Sequence, residues 1–283
     1  MSALLAVGAE VHVLARGAKG GDSVSFHKAD LADADMVGRV VREVRPDGIV
    51  HLAAAGVAYA ARDANEMKRI NVSGLRSLLE AASTLPVPPA MVCAGSGFEY
   101  APAGRALRED DPIGLNSDYG VFKAAAFAVA AEYGKRLPLT WVRLFSLYGP
   151  GEQEPRLAPY VIGCVRRGQP VELTSGDQVR DYTFVVDAAK ALLRAVTQPP
   201  AREMRVVNFA SGQAVTLRDF ILLLAEQLKT HGLTPNIKFG VIPYRPDEMM
   251  HYTASVERWK SLFGWQPMQS MESGVKEMVE ATL

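Results

Sequence analysis

Disulfides, membrane spans and an excess of one charge are all scarce or missing in this chain, and each shortage narrows what the protein can be. The 283 residues include two cysteines, Cys93 and Cys164. Both lie in apolar runs, so buried free thiols are expected rather than a disulfide, in a reducing, cytoplasmic setting. Lys plus Arg and Asp plus Glu each number 31. A nucleic-acid or other polyanion partner therefore has no net field to draw it in, although a small anionic ligand needs only locally placed arginines. No apolar stretch reaches the roughly 18–20 residues that cross a bilayer. The opening run Met1-Ser2-Ala3-Leu4-Leu5-Ala6-Val7-Gly8 is too short for a secretion signal, and no basic residue precedes it. It reads as the end of a helix with Gly8 as its C-cap. Internal repeats, low-complexity tracts and long linkers are lacking, and no metal site is expected.

The residues that are present argue for an ordered alternation. At 48% hydrophobic the chain can fill one large core with a smaller one beside it. Apolar strand patterns at 10–14, 48–52, 90–94 and 139–145 alternate with helical patterns at 34–45, 64–83 and 119–136. That order predicts an α/β fold with a doubly wound parallel sheet. From about Gly149 the regularity falls, and breaks follow at Gly168-Gln169-Pro170 and Pro199-Pro200. Strands near 171–173, 205–209 and 236–239, with helices near 217–229 and 255–263, predict a smaller C-terminal lobe. The expected division is a dinucleotide-binding domain over 1–150 and a mainly substrate-binding lobe over 151–283, with some segments returning to the large domain.

One constellation carries chemistry. Tyr119 and Lys123 are four residues apart in a helical pattern and so project from one face. An ammonium beside a phenol favours the phenolate, which lets the phenol pass a proton near neutral pH. Ser96 follows the apolar run that ends at Ala94 and supplies a hydroxyl for the same substrate oxygen. Alone, Tyr-x-x-x-Lys also describes a surface pair on an amphipathic helix.

The order of motifs resembles the extended short-chain dehydrogenase/reductase family, which includes nucleotide-sugar epimerases, dehydratases and ketoreductases. The matching segments are Asp30-Leu31, His51-Leu52-Ala53-Ala54, Asn71-Val72-Ser73-Gly74, Ser96, Tyr119 with Lys123, Tyr148-Gly149-Pro150, Arg180 to Asp187 and Gly264-Trp265-Gln266-Pro267. The resemblance implies that Tyr119 is the acid or base, that Lys123 tunes it and holds a ribose, and that Ser96 is the hydroxyl partner. Asp30 and Leu31 would meet the adenine, Leu52, Ala53 and Ala54 would line the cofactor groove, and Asn71 would stabilise the helix near the relay. Relatives that prefer NAD place a carboxylate where Ala15 and Arg16 stand, which favours NADP(H) over NAD(H) here. Gly97 and Phe98 replace the acid and base of the dehydratases. Glu99 would point elsewhere if its segment is extended. The segment Gly95 to Tyr100 is similar to nucleotide-4-keto-6-deoxysugar reductases, with an epimerase close behind and a non-catalytic family member as the third reading. Arg180, Arg245, Ser146, Gly97 and Phe98 complete the implied substrate set for a nucleotide-diphosphate sugar. Asp181 and Asp187 could also hold Arg180 in a structural ion pair. A homodimer through the helices at 64–83 and 119–136 is implied as well.

The same comparison places a first strand and a glycine-rich turn before Gly8, so roughly 20 further residues would be expected upstream of Met1. Without that strand the sheet is expected to split beside Ala90 to Ala94, leaving backbone groups that cost about 1–3 kcal/mol each when buried and unpaired.

Overall fold

Side-chain caps decide where several helices begin. Asp33 accepts from the backbone N–H of Met36, Ser117 from Gly120, Thr216 from Asp219 and Ser270 from Ser273, each satisfying a donor that the first helical turn leaves open. The structure, a computed structural model, describes residues 1–283 apart from 18–22, 59–61, 153, 202, 266 and 268, so Gln266 of the Gly264 to Pro267 motif lies outside the described residues. In chain order the elements are α1 (Ser2–Leu5), β1 (His12–Ala15), β2 (Ser25–Lys28), α2 (Ala34–Val44), β3 (Gly48–His51) and α3 (Ala64–Met67). A π-helical turn, Lys68–Gly74, leads into α4 (Leu75–Ser83) and β4 (Ala90–Ser96). After a 3-10 turn, Gly97–Glu99, come α5 (Asp118–Tyr133), β5 (Leu139–Leu144), β6 (Ser146–Tyr148), α6 (Leu157–Arg166), β7 (Val171–Glu172) and β8 (Val179–Phe184). The rest is α7 (Val185–Thr197), β9 (Arg205–Phe209), β10 (Ala214–Thr216), α8 (Leu217–Thr230), β11 (Ile237–Lys238), β12 (His251–Tyr252), α9 (Glu257–Phe263) and α10 (Met271–Thr282).

Two expected elements take a different form. The helix predicted over 64–83 is interrupted by the π turn, inside which Asn71 turns its amide back onto the chain: Oδ1 accepts from Ala55 N at 2.7 Å and Nδ2 donates to Ala55 O at 3.0 Å. Single π turns inside α-helices are rare and are frequent at functional sites. Gly97 to Glu99 is a 3-10 turn rather than an extended segment, with Glu99 buried.

The chain divides into two compact units. Unit 1 comprises Met1–Glu99, Ile113–Arg143 and Ala189–Val207, and unit 2 comprises Tyr100–Pro112, Leu144–Ala188 and Asn208–Leu283. Unit 1 holds a two-stranded parallel sheet, β1-β2, and a four-stranded sheet in the order β3-β4-β5-β9, with β3 and β4 parallel. The break between sheets therefore falls beside β3, not beside Ala90 to Ala94 as expected. The central position of β4 explains the difference, because it is paired with β3 on one side and β5 on the other. Leu31, Val41, Leu79, Met91, Ala130 and Trp141 belong to the core cluster of this unit.

Unit 2 is organised on β8, which pairs antiparallel with β10 and parallel with both β6 and β12. The short strands β7 and β11 pair in parallel. Its core includes Phe184, Phe220, Leu224 and Val275. Cys93 and Cys164 are both free and buried. No helix among the described residues is long and apolar enough to cross a membrane.

Candidate active site

Ser96 ends β4, Tyr119 opens α5, and close backbone packing brings the two segments together. A Cβ on Gly120 would lie 2.3 Å from the carbonyl oxygen of Phe98, so the first turn of α5 can approach the 3-10 turn only with glycine there. The Phe98 ring meets Tyr119 edge-on with centroids 6.2 Å apart. The Ser96 hydroxyl accepts from Phe98 N at 3.2 Å. One turn along α5, Lys123 donates from Nζ to Ala94 O at 2.6 Å and lies 5.6 Å from the Trp141 ring centroid. Burial pulls its pKa down, and the negative charge of Glu99 partly opposes the shift. Ser96, Tyr119 and Lys123 are all at least nine-tenths buried.

Beneath Ser96 lies a carboxylate whose partners the local sequence does not show. Glu99 is fully buried and accepts from Ser96 N at 2.7 Å, from Trp141 Nε1 at 3.1 and 3.2 Å, and from Arg143 Nε at 2.7 Å. Burial raises its pKa, with the Arg143 guanidinium opposing the rise most strongly. Gly95 makes room for this group, since a Cβ there would stand 2.2 Å from Trp141 Nε1 and 2.7 Å from Glu99 Oε1. Nothing in the local sequence could show the pairing, because Arg143 is 44 positions away.

His51 ends β3 in register with Cys93. Burial, followed by the charge of Lys123, lowers its pKa from 6.5 to about 3, so the folded state holds it neutral. The unfolded chain binds this proton below about 6.5 and the folded chain does not until about 3. Stability is therefore lost as pH falls through that window, at up to about 1.4 kcal/mol per pH unit from this group. His51→Gln is expected to flatten this part of the stability profile relative to the parent. Denaturant titrations across the window check it, and parallel profiles for the two proteins would show that His51 is not the group responsible.

The carboxyl ends of β1, β2 and β3 carry the residues expected to face a cofactor. Arg16 follows β1, and its Nη1 meets Glu66 Oε1 at 3.2 Å. Asp30 follows β2, accepts from Ala32 N, and is gripped by Arg69 Nη1 at 2.9 Å on both oxygens. The Ala32 N–H and the Arg69 guanidinium hold its carboxyl below the usual range. Leu52 and Ala53, just past β3, are exposed, Leu52 at 57%, while Ala15 and Ala54 are half-buried. An exposed apolar ledge beside ion-paired groups, at the carboxyl ends of parallel strands, suits a dinucleotide. Leu31 faces the other way. It is a core residue, and a Cβ on Gly74 would come within 2.9 Å of its Cγ. Glu66 and Arg69 escaped the sequence reading because Asp63 to Glu66 looks only like a helix start, where Asp63 does cap Glu66 N.

Ser146, Arg180 and Arg245 belong to unit 2. Arg180 is ion-paired with Glu248 and donates to Met249 O at 2.6 Å and Val179 O at 3.0 Å. The acids nearest it in sequence are engaged with other groups: Asp181 accepts from Ser211 N and Oγ and from Gly212 N, and Asp187 accepts from Gln269 N. Ser146 opens β6 opposite Tyr182, and Arg245 is exposed.

Comparison with known proteins places this arrangement. The chain is 27% identical over 278 residues to a probable UDP-glucuronate 4-epimerase of Rhizobium meliloti (strain 1021), covering 89% of this chain and 79% of that protein. It is 32% identical over 144 residues to CDP-abequose synthase of Salmonella typhimurium, covering 49% of this chain and 46% of the other. Its fold superposes on MoeE5 in complex with UDP-glucuronic acid and NAD with a TM-score of 0.88 and 28% identity, covering 99% of this chain and 93% of that one. The architecture is therefore Rossmann-like α/β, as the motif order implied. Residues 1–210 match the family described as NAD dependent epimerase/dehydratase, and the chain belongs to that family of nucleotide-sugar enzymes.

Proposed function

We propose that this protein is a nucleotide-sugar 4-epimerase that oxidises and re-reduces C4 of a UDP-hexose, with Ser96, Tyr119 and Lys123 as its acid-base relay. The observation that carries the reading is the fate of Glu99. Elimination of water needs an acid and a base beside the hydroxyl residue, yet Gly97 and Phe98 have neither, and both Glu99 oxygens are committed to Ser96 N, Trp141 and Arg143. What remains is proton movement at one sugar oxygen. Tyr119 takes the proton of the 4-hydroxyl at its phenolic oxygen and returns it, while the Ser96 hydroxyl hydrogen-bonds the same oxygen. Lys123 stands one helical turn from the phenol, anchored to Ala94 O. Bound nicotinamide dinucleotide supplies the hydride exchange at C4. Arg16, Asp30 and the Leu52 to Ala54 ledge hold that cofactor. Asn71 secures the adjoining loop through Ala55.

Arg180, Arg245 and Ser146 are assigned to the sugar nucleotide, whose diphosphate suits guanidinium groups. Arg180 already holds Glu248 and two carbonyls, and Arg245 is exposed. In this reading unit 1 is the dinucleotide-binding domain and unit 2 the substrate lobe. For a homodimer through the helical segments 64–83 and 119–136, support comes from Val121 and Ala128, apolar residues exposed on α5.

A second reading has its own support. The Gly95 to Tyr100 segment favours reduction of a nucleotide-linked 4-keto-6-deoxysugar, with Tyr119 donating the proton. One assay separates the two. The purified chain is given UDP-glucuronic acid or UDP-glucose with oxidised cofactor, or a nucleotide-linked 4-keto-6-deoxysugar with reduced cofactor, and the sugars are followed by NMR. Formation of the 4-epimer with an unchanged reduced-nicotinamide band is expected. Stoichiometric loss of that band with the keto sugar alone would establish the reductase. Conversion of none of them would overturn both readings and favour the non-catalytic one.

A further inference from the structure

The sequence offers Arg16 as an attractor for a phosphate, but the fold gives its guanidinium a carboxylate. Arg16 and Asp30 stand beyond the carboxyl ends of β1 and β2, which run parallel and side by side. Glu66, in the first turn of α3, reaches the same edge. Its Oε1 accepts from Arg16 Nη1 at 3.2 Å and from Arg69 Nη2 at 2.9 Å, and its Oε2 accepts from Arg69 Nε at 2.7 Å. Arg69 closes the cluster on both oxygens of Asp30. Two guanidinium groups thus face two carboxylates, and the edge that looked basic in sequence is charge-balanced.

We propose that Glu66 is a specificity-determining residue that makes this edge accept a ribose with a free 2′-hydroxyl, as in NAD(H), and reject the 2′-phosphate of NADP(H). The inference rests on the proposed function only in needing a nicotinamide dinucleotide. A 2′-phosphate would have to displace Glu66 from Arg16 and would leave the cluster strongly anionic. A 2′-hydroxyl instead finds a carboxylate acceptor, the kind of group that NAD-binding folds offer it. The Arg69 guanidinium holds the Glu66 carboxyl below its usual range, so it is charged at neutral pH. Arg16 is two-thirds exposed, at 66%, so the contact is salt-screened and its consequence is discrimination between ligands rather than stability.

Direct binding of NADH and NADPH, followed by cofactor fluorescence with no sugar nucleotide present, tests the assignment. The parent is expected to hold NADH at least about tenfold tighter than NADPH, and Glu66→Gln to narrow that ratio by about tenfold through tighter NADPH binding, an effect that shrinks as salt rises. Adding Arg16→Ala to Glu66→Gln is expected to remove the gain, because Arg16 is the group freed to meet the phosphate. Melting curves confirm that each variant is folded. A parent that prefers NADPH, a ratio unmoved by Glu66→Gln, or failure to bind either dinucleotide would overturn the inference. Because no sugar is present, NADH-selective binding without conversion of any sugar nucleotide would sink the proposed function and leave this assignment standing. Sugar conversion with an unmoved ratio would do the reverse.

Discussion

Tyr119→Phe is expected to lower turnover at C4 by about a hundredfold or more, the scale of losing a positioned general acid or base. The substitution removes one oxygen and keeps the ring, so the edge-on contact with Phe98 at 6.2 Å persists. Stability should change by no more than about 1 kcal/mol, the net worth of a hydrogen bond. The pairing of a large kinetic loss with a small thermodynamic one is what assigns the phenol to chemistry rather than to packing. It is measured as kcat and as the denaturation midpoint of the same preparation. Near-parent turnover would move proton transfer to another group, and an equal collapse of stability would make Tyr119 a core residue.

Glu99→Ala is expected to produce the largest loss of stability, about 3–5 kcal/mol, because it leaves the buried guanidinium of Arg143 without its counter-ion. A domain is typically stable by only about 5–15 kcal/mol, so the variant sits near the edge of folding. Glu99 is 0% exposed and Arg143 1%, so the pair is out of contact with bulk water in the parent. The same substitution releases Ser96 N and Trp141 Nε1. Removing both charges together, as Glu99→Leu with Arg143→Met, should recover much of the loss, since two apolar groups need no partner. The check is a shift of the denaturant midpoint at constant slope. A loss below about 1 kcal/mol for Glu99→Ala, the scale of an exposed ion pair, would show that the pair is not sealed from solvent.

The strand and helix rhythm was legible because hydrophobic period reports local geometry. The elements at 34–44, 205–209 and 217–230 fall within a residue or so of expectation, and periodic apolar residues there coincide with burial. The family was equally legible, carried by motif order over most of the chain. Less visible were the elements whose form depends on a distant partner. The π turn at 68–74 exists around Asn71, whose amide closes on Ala55, 16 positions away. Leu31 matched a cofactor motif by position, yet its side chain packs into the core against Gly74.

By itself the sequence determined the α/β alternation, the placement of Tyr119 and Lys123 one helical turn apart, and the absence of acid and base at Gly97 and Phe98. Those are matters of spacing and residue type, which local backbone geometry converts directly into shape. Only the tertiary structure decided the charges. Glu99 became the buried partner of Arg143, His51 was forced neutral, and Arg16 acquired Glu66 from 50 positions along the chain. The physical reason is that the energy of a charge depends on burial and on neighbours within a few ångströms, and neither is encoded in the order of residues along a strand.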